Sequence, residues 1–368
     1  MSGESRDGTA KTVFGILGSG WRAETYVRIA KEASGWFDVC GLVTRSAQKG
    51  SRIEEAWGIR TFRSIEDLLR AASPSFVVVS LAKDVAPGFT AALAERGTAV
   101  LAETPPAASL ELLSQLYART KGARVQIAEQ YFLQPMHAAR LSVAASGKLG
   151  AVSEAQVSFS HGYHAVSLIR KTLGIGFENA VIHGSSFCSK TVEGPGRNGL
   201  PDRENLVETV QDFAFLDFGG KLGVYDFAKD QHRSWARFQR ILVRGSRGEI
   251  SNAEVRYLRD FRTPIETCLR RVQAGENGNL EGYHLKGVTM GEEWIYGNPF
   301  VPARLSDDEI AVASCLRKMD DYVHGGPGFY GLAEAAQDQY LALMVDRAVR
   351  TGEKVVTQTQ PWSEGGRP

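Results

Sequence analysis

Cysteine is scarce in this chain: Cys40, Cys188, Cys268 and Cys315 lie far apart in 368 residues, and none belongs to a C-x-x-C pair. Such spacing signals neither a disulfide framework nor a zinc knuckle, and the expectation is reduced, mostly buried thiols. Charge of one sign is equally lacking. The 43 Lys and Arg against 42 Asp and Glu leave a formal +1, so no cationic excess exists to neutralise a phosphate backbone or an anionic bilayer. Neither nucleic acid nor a membrane is expected as a partner. No run approaches the roughly 18 apolar residues of a membrane span. The opening MSGESRDGTAK is polar where a secretory signal needs an apolar stretch, which points to a cytoplasmic protein. Internal repeats and a Gly-X-Y period are also absent. What is present is ordinary globular composition, 43% hydrophobic and 23% charged, in a chain long enough for two domains of roughly 150 residues or more each.

From Thr12 onward strand and helix patterns alternate. TVFGIL, FDVCGLV, FVVVSLA, AVLAE and RVQIAEQ read as short strands, with helical spacing around 21–34, 47–57, 65–72, 86–96 and 110–120 between them. This is the signature of a doubly wound parallel sheet, an α/β Rossmann domain over residues 12–128 preceded by a flexible 1–11. Past Leu149 the texture changes to longer alternating segments: VSEAQVSFS, ENAVIHGSSFCSK, ETVQDFAFLDF, KLGVYDFAK, QRILVRG, EISN and VRYLRDF. They predict an α+β second domain, 129–368, built on a large, mostly antiparallel open sheet. GENGNLEGY, 275–283, reads as a polar loop. GEEWIYGNPFVP reads as irregular chain whose Trp294, Tyr296 and Phe300 would stack on a ligand or fill a subunit interface. Two helices close the chain, the first opened by the capping-box match Ser306 to Glu309 and the second stopped by Gly352.

The first strand delivers Gly18-Ser19-Gly20 followed by Ala23, which is G-x-G-x-x-A with a strand before it and a helix after. The first glycine permits the turn, the second admits a pyrophosphate to the backbone, and the helix N-terminus offers unpaired N–H groups to the anion. Trp21, next in the turn, and Leu81, at the end of the FVVVSLA segment, are further candidates for the same nucleotide site. The residue that reads the ribose should stand where the second strand ends, and that end is Val43-Thr44-Arg45-Ser46, without an acid; Asp38 falls at the opposite end of the strand. An arginine there pairs with a 2′-phosphate through its planar fork, so Thr44 and Arg45 favour NADP slightly over NAD.

A later strand ends Glu103-Thr104-Pro105-Pro106. Together with GSGWRA, SFVVVSLA, ERGTAVLAETPPA, QYFLQP and SGKLG, this segment resembles the glucose-fructose oxidoreductase / inositol dehydrogenase / MocA family of two-domain dehydrogenases. The resemblance covers the first half well and the second in outline. In that family the strand ends Glu-Lys-Pro. Glu103 and Pro105 match, Thr104 stands in the lysine position, and Pro105 or Pro106 would carry a cis bond beside the nicotinamide. A threonine hydroxyl orients a substrate but supplies neither positive charge nor a base; Lys83, in the loop after FVVVSLA, is the visible substitute.

The segment from His164 to Gly174 has the spacing of the family's H-x-x-D-L-L-x-x-L-L-G, which places His164 on the family's catalytic histidine and the companion aspartates on Ser160 and Ser167. Gln130, Tyr131, His161, Tyr163 and His232 are the candidates to contact a hydroxylated substrate. Around His232, the stretch from Asp230 to Trp235 reads as an exposed hairpin end or a polar lining. H-x-x-H alone, with no third ligand cluster, gives no reason to expect a metal.

The resemblance implies hydride transfer between a nicotinamide and a secondary alcohol or ketone of a sugar, cyclitol or glycoside, with His164, Thr104 and Lys83 at the reacting oxygen. It implies a homodimer or homotetramer through the second-domain sheet. Two other readings stand beside it. One is redox-neutral glycoside cleavage, with His161, Glu129 or Tyr163 as an additional base; the other is a nucleotide-binding regulator without turnover.

Overall fold

Runs of apolar residues bounded by glycine and serine suit strands buried on both faces, and the first part of the chain is made of them. The computed structural model describes residues 11–196, 199–277 and 282–363. The expected flexible 1–11 lies outside these except for Lys11, and so does the middle of the 275–283 loop. In order come β1 (Thr12–Leu17), α1 (Trp21–Glu32), β2 (Phe37–Val43), α2 (Ala47–Trp57), β3 (Thr61–Phe62), α3 (Ile65–Ala71), β4 (Phe76–Val79), α4 (Ala86–Glu95), β5 (Val100–Ala102), α5 (Leu110–Arg119) and β6 (Val125–Ile127). The six strands pair in parallel in the order β3-β2-β1-β4-β5-β6, the doubly wound Rossmann arrangement. β3, only two residues long, is too short to show a period and is absent from the sequence reading.

There follow α6 (Pro135–Ala145), β7 (Val152–Ser158), α7 (Gly162–Leu173), β8 (Val181–Val192), β9 (Leu206–Asp217), β10 (Leu222–Ala228), β11 (Arg240–Gly245), β12 (Gly248–Ser251), β13 (Glu254–Asp260), β14 (Thr263–Gln273), β15 (Leu285–Met290), β16 (Glu293–Gly297), α8 (Asp307–Val323), α9 (Leu332–Thr351) and β17 (Val355–Val356). Eleven strands form one sheet in the order β16-β15-β14-β13-β12-β11-β7-β10-β9-β8-β17. It is mostly antiparallel, with β7 and β10 paired in parallel. Among the described residues no helix is long and apolar enough to cross a membrane.

Contacts divide the chain into two compact units. The first is Met1–Pro135 with Arg271–Val288 and Tyr296–Ala336; the second is Met136–Arg270 with Thr289–Ile295 and Gln337–Pro368. In the first, Phe14 of β1 and Phe76 of β4 stack with centroids 5.7 Å apart. Tyr26 and Ile29 of α1 and Ile310, Leu316 and Met319 of α8 complete a fully buried core around them. Ser306 caps α8 through the reciprocal pairing with Glu309, and Gly352, at φ +70°, ends α9, both as the sequence suggests.

Trp294 and Tyr296 lie in a strand, β16, and not in irregular chain. Phe300 is a core residue, its ring 5.6 Å from Trp36 and 5.7 Å from Phe37; burial among aromatics accounts for it without ligand or interface. The 230–235 stretch does not close a hairpin, because β7 lies between β10 and β11. Its first part is a 3-10 turn, Lys229–His232.

Candidate functional site

The residues expected at the nucleotide belong wholly to the first unit. Gly18 leaves β1 at φ +130°, and a Cβ there would stand 2.1 Å from the carbonyl oxygen of Ser80, so only glycine fits. Its N–H donates to the Val43 carbonyl at 3.2 Å, joining the turn to the end of β2. Gly20 is the extended N-cap of α1 and brings no side-chain cap, while a Cβ built on it meets nothing within 4 Å. The first turn of α1 therefore keeps orphan N–H groups beside open space, the physical basis of an anion site.

Beside this turn lies a cavity of about 670 Å³. Gly18, Ser19, Thr44, Arg45 and Leu81 all line it, so five of the nine residues expected at the nucleotide do share one wall; Gly20, Trp21, Glu103 and Pro105 are not among its lining. Ser19 Oγ donates to Thr44 Oγ1 at 3.0 Å, fixing the turn against the strand end. Ser46 caps α2 by accepting from Lys49 N. Cations that the sequence reading passed over, Lys49, Arg63 and Arg96, line the same wall; Arg96 is held by Glu66 at 2.6 Å. The closeness of Lys49 to Arg45, four residues apart at the opening of a helix, is a signal that could have marked it.

Glu103 has a structural position. Its Oε1 accepts from Arg22 Nε at 2.9 Å and from the Tyr26 hydroxyl, while Arg22 Nη1 donates to Asp308 Oδ2 at 3.0 Å. Burial raises Tyr26 well above its ordinary value and the Glu103 charge raises it further, so the phenol stays a donor. Burial opposes the Arg22 charge, yet Glu103, Tyr26 and Asp308 together raise it above its usual value. The network ties the end of β5 to α1, and Arg22 and Tyr26, one helical turn apart, escaped the sequence reading. Immediately after Glu103 the Thr104–Pro105 bond is cis, at one of the two prolines where the resemblance expected it. Gln130 Nε2 donates to Asp308 Oδ1 at 3.1 Å, and burial, then Asp308 and Glu129, raise the neighbouring Tyr131. Glu129 is fully buried and accepts from Tyr131 N. Lys83 is exposed in a turn.

A second grouping belongs to the second unit. Because β7 and β10 are parallel neighbours, with Val157 opposite Tyr225, the chain leaving each strand emerges at the same edge of the sheet. β7 leads to Ser160, His161 and α7; β10 leads to the turn ending at His232. His161 is the N-cap of α7 and His164 stands one turn in, with ring centroids 5.3 Å apart; His161 and His232 are 5.5 Å apart, ring edge to face. Tyr163 packs 5.4 Å from His164 and Phe227 lies 4.9 Å from His232. Tyr225 Oη accepts from Gly162 N at 3.3 Å and pins the start of the helix.

His164 is buried while His161 and His232 reach solvent. Desolvation where the rings meet, then the imidazoles of His164 and His232, lower His161 to about 4. Desolvation, His164 and Arg233 likewise lower His232. Both stay neutral at neutral pH, able to accept a proton. Ser160 and Ser167, in the positions that the resemblance assigns to aspartates, are fully buried, and their hydroxyls have no hydrogen-bond partner among the described residues. Among those residues no group of three or more His, Cys, Asp or Glu is arranged to hold a metal. The structure thus brings His161, Tyr163, His164 and His232 together.

Residues 13–131 match the GFO_IDH_MocA model, described as an oxidoreductase family with an NAD-binding Rossmann fold. No curated protein matches the chain in sequence. Solved structures share its fold at low identity. GenD2 from gentamicin A biosynthesis, solved with NAD, is 17% identical at a TM-score of 0.67, covering 97% of this chain and 100% of its own. The WlbA dehydrogenase of Bordetella pertussis, solved with NADH and UDP-GlcNAcA, is 14% identical at 0.62 over 95% and 100%. A myo-inositol dehydrogenase from Corynebacterium glutamicum is 14% identical at 0.64, again over 95% and 100%. Strand order, glycine turn and family match agree: over residues 13–131 this chain carries the NAD-binding Rossmann domain of the Gfo/Idh/MocA oxidoreductase family.

Proposed function

We propose that this protein is an NAD(P)-dependent oxidoreductase acting on a secondary alcohol or ketone of a sugar, cyclitol or glycoside. One observation carries the reading: the glycine-only turn at Gly18 stands at the uncapped start of α1 and lines, with Ser19, Thr44, Arg45 and Leu81, a single cavity. A dinucleotide fits these residues, its pyrophosphate at the orphan N–H groups and its adenosine ribose toward Thr44 and Arg45. When bound, the nicotinamide supplies the hydride acceptor or donor. The basic side chain at the end of β2 favours NADP.

His164 is the acid-base group. It takes the proton of the substrate hydroxyl in oxidation and returns it in reduction, and Thr104, in the position of the family's lysine, and Lys83 are the proposed partners of the reacting oxygen. Gln130, Tyr131, His161, Tyr163 and His232 make contacts to the substrate hydroxyls. A second reading, redox-neutral glycoside cleavage, is favoured by the neutral imidazole of His161 against His164, since elimination needs a base in addition to the one serving oxidation. We further propose a homodimer or homotetramer, supported by Phe187, Leu206, Val210 and Phe215, which β8 and β9 leave exposed. Light scattering that gives a monomer would remove that part.

The test is nicotinamide absorbance of the purified protein with NAD or NADP and a panel of sugars, cyclitols and glycosides, with product masses taken from the same samples. Stoichiometric reduction of the cofactor is the expected outcome, and His164→Ala should lower it about 100-fold or more with nucleotide binding unchanged. Cleaved glycoside without net reduction would favour the second reading. Bound nucleotide with neither product would replace both with a regulator.

A further inference from the structure

Arg63 follows β3, directly before Ser64, the N-cap of α3. Its Nη1 donates to the main-chain carbonyl of Thr44 at 3.3 Å, to Thr61 Oγ1 at 3.2 Å and to the Phe62 carbonyl at 3.4 Å. The guanidinium lies against α2 at Gly50, where a Cβ would meet both Nη1 and Nη2 at 2.6 Å and Thr61 Oγ1 at 2.7 Å. A bare glycine on α2 therefore provides the space in which this arginine lies. The carbonyl it grips belongs to the residue whose hydroxyl accepts from Ser19, so the arginine head is fixed to the strand end that faces the ribose.

Charge on the cavity wall is lopsided there. Arg45, Lys49, Arg63 and Arg96 line it against one acid, Glu66, and that acid is occupied by Arg96. A pyrophosphate is already served by the α1 N-terminus, which leaves Arg45 and Lys49 without an ion pair among the described residues, while Arg63 stands in the field of Glu54, which accepts from the same Thr61 hydroxyl.

The geometry points to Arg63 as a specificity-determining residue that, with Arg45 and Lys49, recognises a phosphate on the 2′ oxygen of the adenosine ribose. This rests on the nucleotide reading above and deepens it. Arg63 is pre-positioned, because its guanidinium is held at Nη1 by Thr44 and lies in the space at Gly50; Arg45 and Lys49 close on the phosphate from the α2 side.

Nicotinamide fluorescence titrations with NADPH and NADH test this without turnover, alongside competition by 2′-AMP and 5′-AMP. Arg63→Ala is expected to weaken NADPH about tenfold or more while moving NADH less than about twofold, as loss of a charge-assisted contact demands. Gly50→Val, which expels the guanidinium without removing it, should reproduce the pattern, and added salt should narrow the preference of the wild type. NADH binding serves as the control for folding of each variant. Equal losses for both nucleotides, or a wild type that binds NADH and 2′-AMP no better than 5′-AMP and NADPH no better than NADH, overturn the assignment and leave the nucleotide site standing. Failure of both NADH and NADPH to bind the wild type sinks the nucleotide reading itself, and this assignment with it.

Discussion

Arg170 of α7 and Asp338 of α9 form an ion pair of 2.7 Å with side chains 1% and 0% exposed. The remaining edge of the guanidinium donates to the Gly176 carbonyl from Nε at 3.1 Å and from Nη2. Removing one partner of such a pair leaves a buried charge uncompensated, at about 3–5 kcal/mol, whereas replacing both with apolar residues restores much of the loss. Arg170→Leu or Asp338→Leu should each lower the unfolding free energy from urea titration by that amount, and the double variant should recover. Equal, additive losses would show that the pair is not the source. Since α7 also carries His164, the single variants should loosen the histidine cluster as well.

The two glycines of the α1 turn should fail differently. Gly18→Ala places a methyl against the Ser80 carbonyl and forces φ +130° on a residue that avoids it, so both stability and nucleotide binding fall. Gly20→Ala meets nothing in the folded protein, and its melting temperature should stay within a few degrees while nucleotide affinity drops, because the methyl occupies the approach to the helix N-terminus. Paired melting curves and titrations check this; a melting temperature for Gly20→Ala as low as that for Gly18→Ala would refute it.

Ser160 and Ser167 bury hydroxyls that no other described group satisfies. A buried hydroxyl without a partner costs roughly 1–3 kcal/mol, so Ser160→Ala and Ser167→Ala should be neutral or stabilising. Denaturation midpoints decide it, and a loss above about 1.5 kcal/mol would reveal a hydrogen bond to bound water.

His137 is buried on α6, its ring 4.5 Å from Phe159 and its Nδ1 3.2 Å from Arg140 Nη1. Burial, then the charge of Arg140, holds it well below the usual 6.5. The unfolded chain therefore takes up a proton near pH 6.5 that the folded chain refuses. Stability present above that pH falls as pH drops below it, by up to about 1.4 kcal/mol per pH unit. His137→Leu should flatten the slope of stability between about pH 7.5 and pH 5.5. Parallel slopes for the two proteins would mean that other groups govern the acid limb.

The Rossmann half was legible because its strands are unbroken apolar runs and its first turn is a G-x-G-x-x-A with the correct flanks. β14 was hidden by Pro264 and by the adjacent charges Arg270 and Arg271, which break its alternation, and β16 by the glycine and proline on either side of it. Thr44 and Arg45 could be named from strand length alone. Arg63 could not, since its place depends on a glycine in another helix. His161 and His164 share a helical turn and were readable as neighbours; His232 met them only through the parallel pairing of β7 with β10, a choice of partner that no local pattern encodes.

Parallel neighbours cannot be joined by a tight turn, and here α7, β8 and β9 all intervene between β7 and β10. β8, β9 and β10 pair as an antiparallel meander of strands consecutive in the chain, whose loops close at smaller entropic cost than a connection spanning several elements. The seam between β7 and β10 joins strands far apart in sequence, and the contact between the imidazoles of His161 and His232 depends on it. Contact between those two rings is in effect a marker of that seam, and a chain lacking it would keep most of its strands and the local His161–His164 pair but not His232 beside them.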